Sequence, residues 1–358
     1  MCGEIACKWK ERQGQIEVLQ FEKEITEDMT LTEWLNYWYD MYAMRSVKHS
    51  TAVSYRGYID RHIAPNIGEI RLCELNVCIL QEFFVERYEH GSARGGGLSA
   101  KSVRNIYLML HRALKKAVDV EIIKRNYANG VELPRQKAPE MTVLTVEEQN
   151  RLMSELSRSE EKLAFAVYLA IMTGMRLGEI AGLRWCDVDL VKRTIHIRQT
   201  VNRLPSLDGK TKTVLVIDTP KSKASVRDIP FSVNVQERFK EQRKNTIAVN
   251  GQMQRPENDY VLCLRKGYPC EPSTIQSTFK RILRDAGIRR VKFHSLRHTF
   301  ATRAIENGMD VKTLSEILGH ADVGTTLNRY AHVLDEHKRQ AMDKLMEAME
   351  QGNSSFNK

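Results

Sequence analysis

A short stretch around position 136 constrains the fold more than any other part of this chain. Pro134-Arg135-Gln136-Lys137-Ala138-Pro139 is basic and bracketed by prolines, which lack the backbone N–H and fix φ, so no helix can run through it. It reads as an extended linker over 134–141 that separates two segments of different pattern. The chain's 358 residues exceed one ordinary core, which also favours two domains.

Upstream of the linker the pattern is helical. Thr30 and Glu33 form a capping box, and Leu31, Trp34, Leu35, Trp38 and Tyr42 recur on one face. That aromatic stripe is expected to pack as core and not to stack on bases. A second helix is expected from Thr51 to Pro65 with Ala52, Tyr55, Ile59 and Ile63 inward, and a third from Val77 to Tyr88. After a glycine-rich loop at 91–97, Ser99 caps a helix carrying Val103, Ile106, Tyr107, Leu110 and Leu114. Residues 29–133 therefore read as a small helical domain.

Downstream, Thr145 and Glu148 repeat the capping box, and an apolar helix from Leu163 to Met172 stops at Gly174. Thr194 to Val201, Thr213 to Asp218 and Val226 to Pro230 are β-branched and alternating, which predicts a small sheet inserted among helices. Further helices are expected at Val235 to Ile247, from a Ser273 cap to Ala286, from Ser295 to Glu306, and from an Asp310 cap to a stop at Gly319. Residues 142–334 form the second domain, and 335–358 an amphipathic tail with Met342, Leu345, Met346 and Met349 at helical spacing.

The chain carries 55 Lys plus Arg against 45 Asp plus Glu, a net +10, which permits a polyanionic partner without requiring one. Seven cysteines form no CxxC pair and no even framework, so they read as reduced thiols of a cytoplasmic protein. No apolar run approaches a membrane span. There is no Walker sequence and no acidic cluster that would hold paired magnesium ions, so neither ATP, metal nor other cofactor is expected.

Five scattered elements point to phosphate chemistry: Arg176 and Glu179 in Thr173-Gly174-Met175-Arg176-Leu177-Gly178-Glu179, His294 and Arg297 in Phe293-His294-Ser295-Leu296-Arg297-His298, a lysine in Pro220-Lys221-Ser222-Lys223, His320 after Gly319, and Tyr330. Two guanidiniums can grip non-bridging phosphate oxygens through paired hydrogen bonds, imidazoles can donate or move protons, and a phenol can attack phosphorus. Such a set suits covalent DNA cleavage without a metal. His298, one turn after His294, has no accompanying third ligand at zinc-like spacing and reads as core packing.

These residues resemble the tyrosine recombinase or phage integrase family, which includes the Xer proteins and the integrases of phages and conjugative transposons. The resemblance implies a mostly α fold with a small β-sheet: a helical SAM-like core-binding domain plus a mixed α/β catalytic domain. It implies Tyr330 as the nucleophile forming a 3′-phosphotyrosyl link, and Arg176 and Arg297 as the phosphate clamp. His294 would assist proton transfer at the nucleophile, and His320 would hydrogen-bond the scissile phosphate. The general acid matches Lys221 best, with Lys223 the rival, and Glu179 has an orienting task. Double-stranded DNA recombination sites and a homotetramer on synapsed DNA are the implied partners, with an excisionase or a host DNA-bending protein as further candidates. The bacterial nucleoid is the implied setting.

Many such integrases carry an arm-binding domain first, whereas residues 1–28 here are too few for an independent fold. They read as an arm or remnant, with Lys8 to Glu22 a strand or a disordered segment. Two rivals are disfavoured. A type IB topoisomerase shares the nucleophile but joins no second duplex, and a DNA-binding regulator of the same fold would keep binding without cleavage. His320, the small size and the motif order argue against the first, and intact Tyr330, Arg176 and Arg297 against the second.

Overall fold

The computed structural model describes residues 7–12, 15–20, 26–93, 95–135, 141–206, 211–218, 226–250, 259–265, 267–327 and 329–330, with isolated positions beyond. It divides into two compact units, Met1–Pro139 with Pro205–Lys210, and Glu140–Leu204 with Thr211–Lys358. Most of the linker, at 136–140, and most of the tail after Tyr330 lie outside the described residues.

The first unit begins with a hairpin of β1 (Cys7–Arg12) and β2 (Gln15–Gln20), antiparallel with Trp9 opposite Val18. Within Lys8 to Glu22 the described backbone is thus paired strand. Helix α1 (Leu31–Trp38) starts at the expected Thr30 cap: the Thr30 hydroxyl accepts from the Glu33 N–H, and the Glu33 carboxylate accepts from the Thr30 N–H. Its buried face is Leu31, Trp34, Leu35 and Trp38. Burying an indole leaves one N–H to satisfy, and Trp34 donates it to the Ala113 carbonyl at 3.1 Å. Trp34 and Trp38 of the aromatic stripe are core, as their spacing predicts, while Tyr42 packs against it partly buried.

Helix α2 (His49–Tyr58) runs through a π turn at Ile59–Ile63 into a last turn at Ala64–Ile67, which keeps Ala52, Ile59 and Ile63 inward. Helix α3 (Val77–His90) is capped by Asn76, and α4 (Ala100–Asp119) by Ser99. Along α4, Val103, Ile106, Met109, Leu110, Ala113, Leu114 and Ala117 are buried at spacings of three and four, so its apolar stripe closes one core with α1 to α3.

In the second unit the capping box at Thr145 and Glu148 opens α5 (Val146–Arg158), and α6 (Ala164–Thr173) is the buried centre. Apolar all round, α6 ends at Gly174, which adopts the left-handed conformation at φ +65°. A Cβ there would lie 2.5 Å from the Phe300 ring, so both backbone and space demand glycine. The short α7 (Leu177–Ala181) follows at once.

The predicted sheet is present but divided. Strands β3 (Val188–Asp189), β4 (Thr194–Ile197) and β7 (Arg227–Pro230) form one antiparallel sheet with β4 central, while β5 (Thr200–Pro205) pairs with β6 (Thr213–Asp218). The turn between β6 and β7, at 219–225, contains Lys221 and Lys223 and lies outside the described residues.

Four helices complete the unit: α8 (Val233–Asn250), α9 (Pro272–Asp285), α10 (His294–Glu306) and α11 (Val311–Leu318). The expected Ser273 cap is not used. Pro272 occupies the first turn, where its fixed φ and missing N–H are tolerated, and Glu271 precedes it without a side-chain cap. Asp310 caps α11 as expected, and Gly319 ends it at φ +64°. None of the described helices is long and apolar enough to cross a membrane.

Candidate active site

Two left-handed glycines set the frame of the site. A helix end exposes carbonyls with no intrahelical donor and carries the negative end of the helix dipole, so it attracts cations. Arg297, on the first turn of α10, donates through Nη1 to the Gly174 carbonyl at 2.8 Å and through Nη2 to the Leu318 carbonyl. Arg176, just before α7, donates through Nη2 to the Gly319 carbonyl at 3.1 Å. The ends of α6 and α11 therefore hold both guanidiniums. The structure brings Arg176 and Arg297 together although 120 other residues separate them in sequence.

Glu179 organises the arginines further. Its carboxylate accepts from the Arg176 backbone N–H and from Arg176 Nη1, each at 2.8 Å. Arg227, at the start of β7, meets the same carboxylate with both terminal nitrogens at 2.9 Å and donates through Nε to the Ile317 carbonyl. The Arg227 and Glu179 side chains are each only 5% exposed. Burial would raise the Glu179 pKa, but the hydrogen bonds and charge of Arg227, with Arg176 behind them, outweigh it and hold it at about 2. Glu179 thus ties Arg176 and Arg227 together. Arg227 is a residue that sequence reasoning missed: nothing local pairs it with a carboxylate 48 positions upstream.

Arg297 is 2% exposed. Burial and the neighbouring Arg176 push its pKa down to about 9, which still leaves it charged at neutral pH.

Three imidazoles surround this cationic centre. His294 opens α10 and lines a cleft of about 630 Å³ shared with Lys280, Arg290 and Lys292. Its edge is solvent-exposed, yet partial burial, then Arg297 and Arg329, lower its pKa to about 4. His320 follows Gly319 with Nδ1 2.7 Å from the buried Thr326 hydroxyl, and burial with Arg297 and Arg176 lowers it to about 3. These two rings are therefore neutral at pH 7; the third, His298, adjoins Tyr330.

Tyr330 is 1% exposed and packs with Ala301, Ile305, Leu314 and Leu318 in a small core between α10 and α11. Burial raises its pKa above 10, opposed by Arg297 and Arg329. Its hydroxyl lies 3.0 Å from Nδ1 of His298, and the His298 ring meets that of His294 edge-on at 4.7 Å. The expectation that His298 only fills core is therefore corrected: it is half-buried and touches the phenol. Sequence could not reveal this, because the contact spans 32 positions. Arg176, Arg297, His294, His320, Glu179 and Tyr330 all fall in one neighbourhood, while Lys221 lies outside the described residues. Among the described residues no group of three or more His, Cys, Asp or Glu could hold a metal.

Comparison with known proteins gives this constellation its setting. The phage integrase family model matches residues 142–337, and the phage integrase N-terminal SAM-like domain model matches residues 30–86. A tyrosine recombinase XerC-like protein of Caldanaerobacter subterraneus subsp. tengcongensis is 28% identical over 332 residues, which span 89% of this chain and 83% of the relative. The ICEBs1 integrase of Bacillus subtilis is 29% identical across 70% of this chain and 66% of its own length. Among solved structures, the Tn1549 transposon integrase in complex with transposon right end DNA superposes with a TM-score of 0.73 at 22% identity, covering 89% of this chain and 100% of that one. The chain belongs to the phage integrase family, the tyrosine recombinases that carry out site-specific DNA recombination. The fold expected from the sequence, mostly α with small sheets and a SAM-like N-terminal part, is the one observed.

Proposed function

We propose that Tyr330 is the nucleophile that cleaves one strand of a recombination site and holds it as a 3′-phosphotyrosyl ester. The observation that carries this reading is the convergence of Tyr330, His298, Arg297 and Arg176 around the carbonyl ends of α6 and α11. Attack concentrates negative charge on the non-bridging oxygens, and a fixed guanidinium aimed at that charge is worth about 3 kcal/mol. Arg176 and Arg297 supply two such groups. If the Thr326 hydroxyl donates to Nδ1 of His320, Nε2 carries the hydrogen and is free to bond the same phosphate. The departing 5′ oxygen needs a proton, and a lysine of the β6–β7 turn, Lys221 or Lys223, is assigned that task.

Residues 29–133 serve as the core-binding domain and 142–334 as the catalytic domain, joined by the basic linker at 134–141. DNA is the partner, and the basic cleft beside His294 suits its backbone. A lambda integrase, in a structure described as a tetramer bound to a Holliday junction, shares the fold at a TM-score of 0.58 and 18% identity. A homotetramer on paired sites is our reading here also. Met342, Met346 and Met349, each about half exposed at helical spacing, support the tail at 335–358 as the segment that docks on a neighbouring copy. Action in the cytoplasm on nucleoid DNA, with an excisionase or a host DNA-bending protein assisting, completes the reading.

The test uses duplexes carrying the terminal repeats of the mobile element that flanks the gene. The wild type should form a detergent-resistant protein–DNA adduct in the presence of a chelator, with the nucleotide on the Tyr330 peptide. Tyr330→Phe should bind DNA with the same salt dependence and form no adduct. An adduct mapped elsewhere, or turnover that requires a divalent ion, overturns the proposal. Undiminished function in Tyr330→Phe would mark a regulator.

A further inference from the structure

We propose that His298 is the proton acceptor for the Tyr330 hydroxyl, a catalytic residue additional to those named from the sequence; the assignment rests on Tyr330 being the nucleophile. The geometry is direct. Nδ1 of His298 lies 3.0 Å from the phenolic oxygen, the atom that must lose a proton as it bonds to phosphorus. His294, to which the family resemblance gives that task, instead lines the cleft with Lys280, Arg290 and Lys292.

The surroundings of His298 keep it able to accept. It is faced by His294 and Arg297 from α10 and by Arg329 and Tyr330 from the segment at 329–330. Burial first, then His294, Arg329 and Arg297, lower its pKa to about 4, so the ring is neutral at pH 7 and one nitrogen carries a free lone pair. An anionic phosphate arriving against Arg297 offsets the cations that disfavour the imidazolium. Proton affinity at Nδ1 therefore rises when the substrate is in place.

The step balances. The Oη–P bond forms as the P–O5′ bond breaks, and the electron pair of the broken bond leaves on the 5′ oxygen, which takes its proton from the general acid. The Oη proton moves to Nδ1 of His298. In religation the 5′ hydroxyl returns its proton to the deprotonated general acid as it attacks phosphorus, the P–Oη bond breaks, and the imidazolium gives its proton back to Oη.

Single-turnover cleavage by the full chain on saturating duplex tests the assignment, with His298→Gln and His298→Ala compared at several pH values. Gln is similar in size and can accept a hydrogen bond but cannot take a proton, so it remains informative if the Ala variant fails to fold. Both variants should bind DNA normally and cleave about 10²- to 10⁴-fold more slowly at neutral pH. Their rate should then climb about tenfold per pH unit toward the phenol's pKa, because the phenolate must form unaided, while the wild type stays flat. A 5′-bridging phosphorothiolate, whose sulfur leaves without protonation, should not restore them. A Gln variant within about threefold of wild type overturns the assignment, as does a slowed variant whose pH profile parallels the wild type's. A faster Ala variant, meaning that His298 merely holds Tyr330 back, also overturns it. Tyr330→Phe run alongside reports separately on the nucleophile: an adduct there sinks the underlying reading, whereas a failure of His298 alone leaves it standing.

Discussion

At the deepest positions of the first unit stand Leu31, Trp34, Leu72 and Phe84, whereas the second unit keeps Glu179, Arg227 and Arg297 nearly as far from water. The first interior is held by apolar area, which tolerates substitution that preserves volume. The second places charges where each must be satisfied by a partner, and a buried ion pair is a costly way to stabilise a fold. On the function proposed above its justification is geometric: Glu179 and the helix ends immobilise the charges assigned to the phosphate. Stability and activity are separable in one region and fused in the other.

The largest expected effect that could break this contrast is on catalysis. Arg297→Lys keeps a cation but loses the fork that spans the Gly174 and Leu318 carbonyls, and should slow strand cleavage by about 10²- to 10³-fold with DNA binding retained. A rate near wild type in a single-turnover assay would remove the clamp from the argument. Next, Glu179→Ala leaves Arg227 buried without its counter-ion and should destabilise the second unit by about 3–5 kcal/mol, read as a shifted denaturant midpoint. Leu110→Ala, in the first core, should lose about 2–5 kcal/mol of stability while leaving the cleavage rate of the folded, DNA-bound enzyme unchanged.

Acid should separate the units more gently. His294, His298 and His320 have folded pKa values of about 3 to 4, below the unfolded value of 6.5, so the unfolded chain binds protons first and stability falls as pH drops from 6.5 toward 4. Glu179 adds to this below about 4.5, because its carboxylate is depressed to about 2. In the first unit only His62, among the described residues, is lowered in the same sense. Hydrogen exchange should therefore show α10 losing protection before α4 over that range. Equal loss in both would indicate that the histidines are not differentially buried. The smallest effect is local: Ser99→Ala removes the cap of α4 and should cost about 1 kcal/mol in thermal melts, with no change in cleavage.

What the sequence revealed follows the same division. Helix starts at Thr30, Thr145 and Asp310 and stops at Gly174 and Gly319 were readable because each depends on residues within one turn. The apolar stripe of α4 was readable from its period. The π turn at Ile59–Ile63 was not, since it changes the hydrogen-bond pattern without changing which residues face inward. Arg176, Glu179, His294, Arg297, His320 and Tyr330 could be nominated because their residue types and order resemble a family's motif, and the fold brings them into one neighbourhood. Arg227, Thr326 and His298 could not, because their meaning lies in a partner brought close only by folding.

The near-complete enclosure of the Tyr330 ring has a consequence for the enzyme between encounters. A cell is crowded with nucleotides and other small phosphate esters, any of which could in principle be captured by an activated phenol beside two guanidiniums. With Tyr330 packed among Ala301, Leu314 and Leu318 and its hydroxyl against His298, the nucleophile is screened from such bystanders. Selection then favours a ligand held by the guanidiniums and the basic cleft beside His294 together, and a long duplex reaches both where a free nucleotide does not.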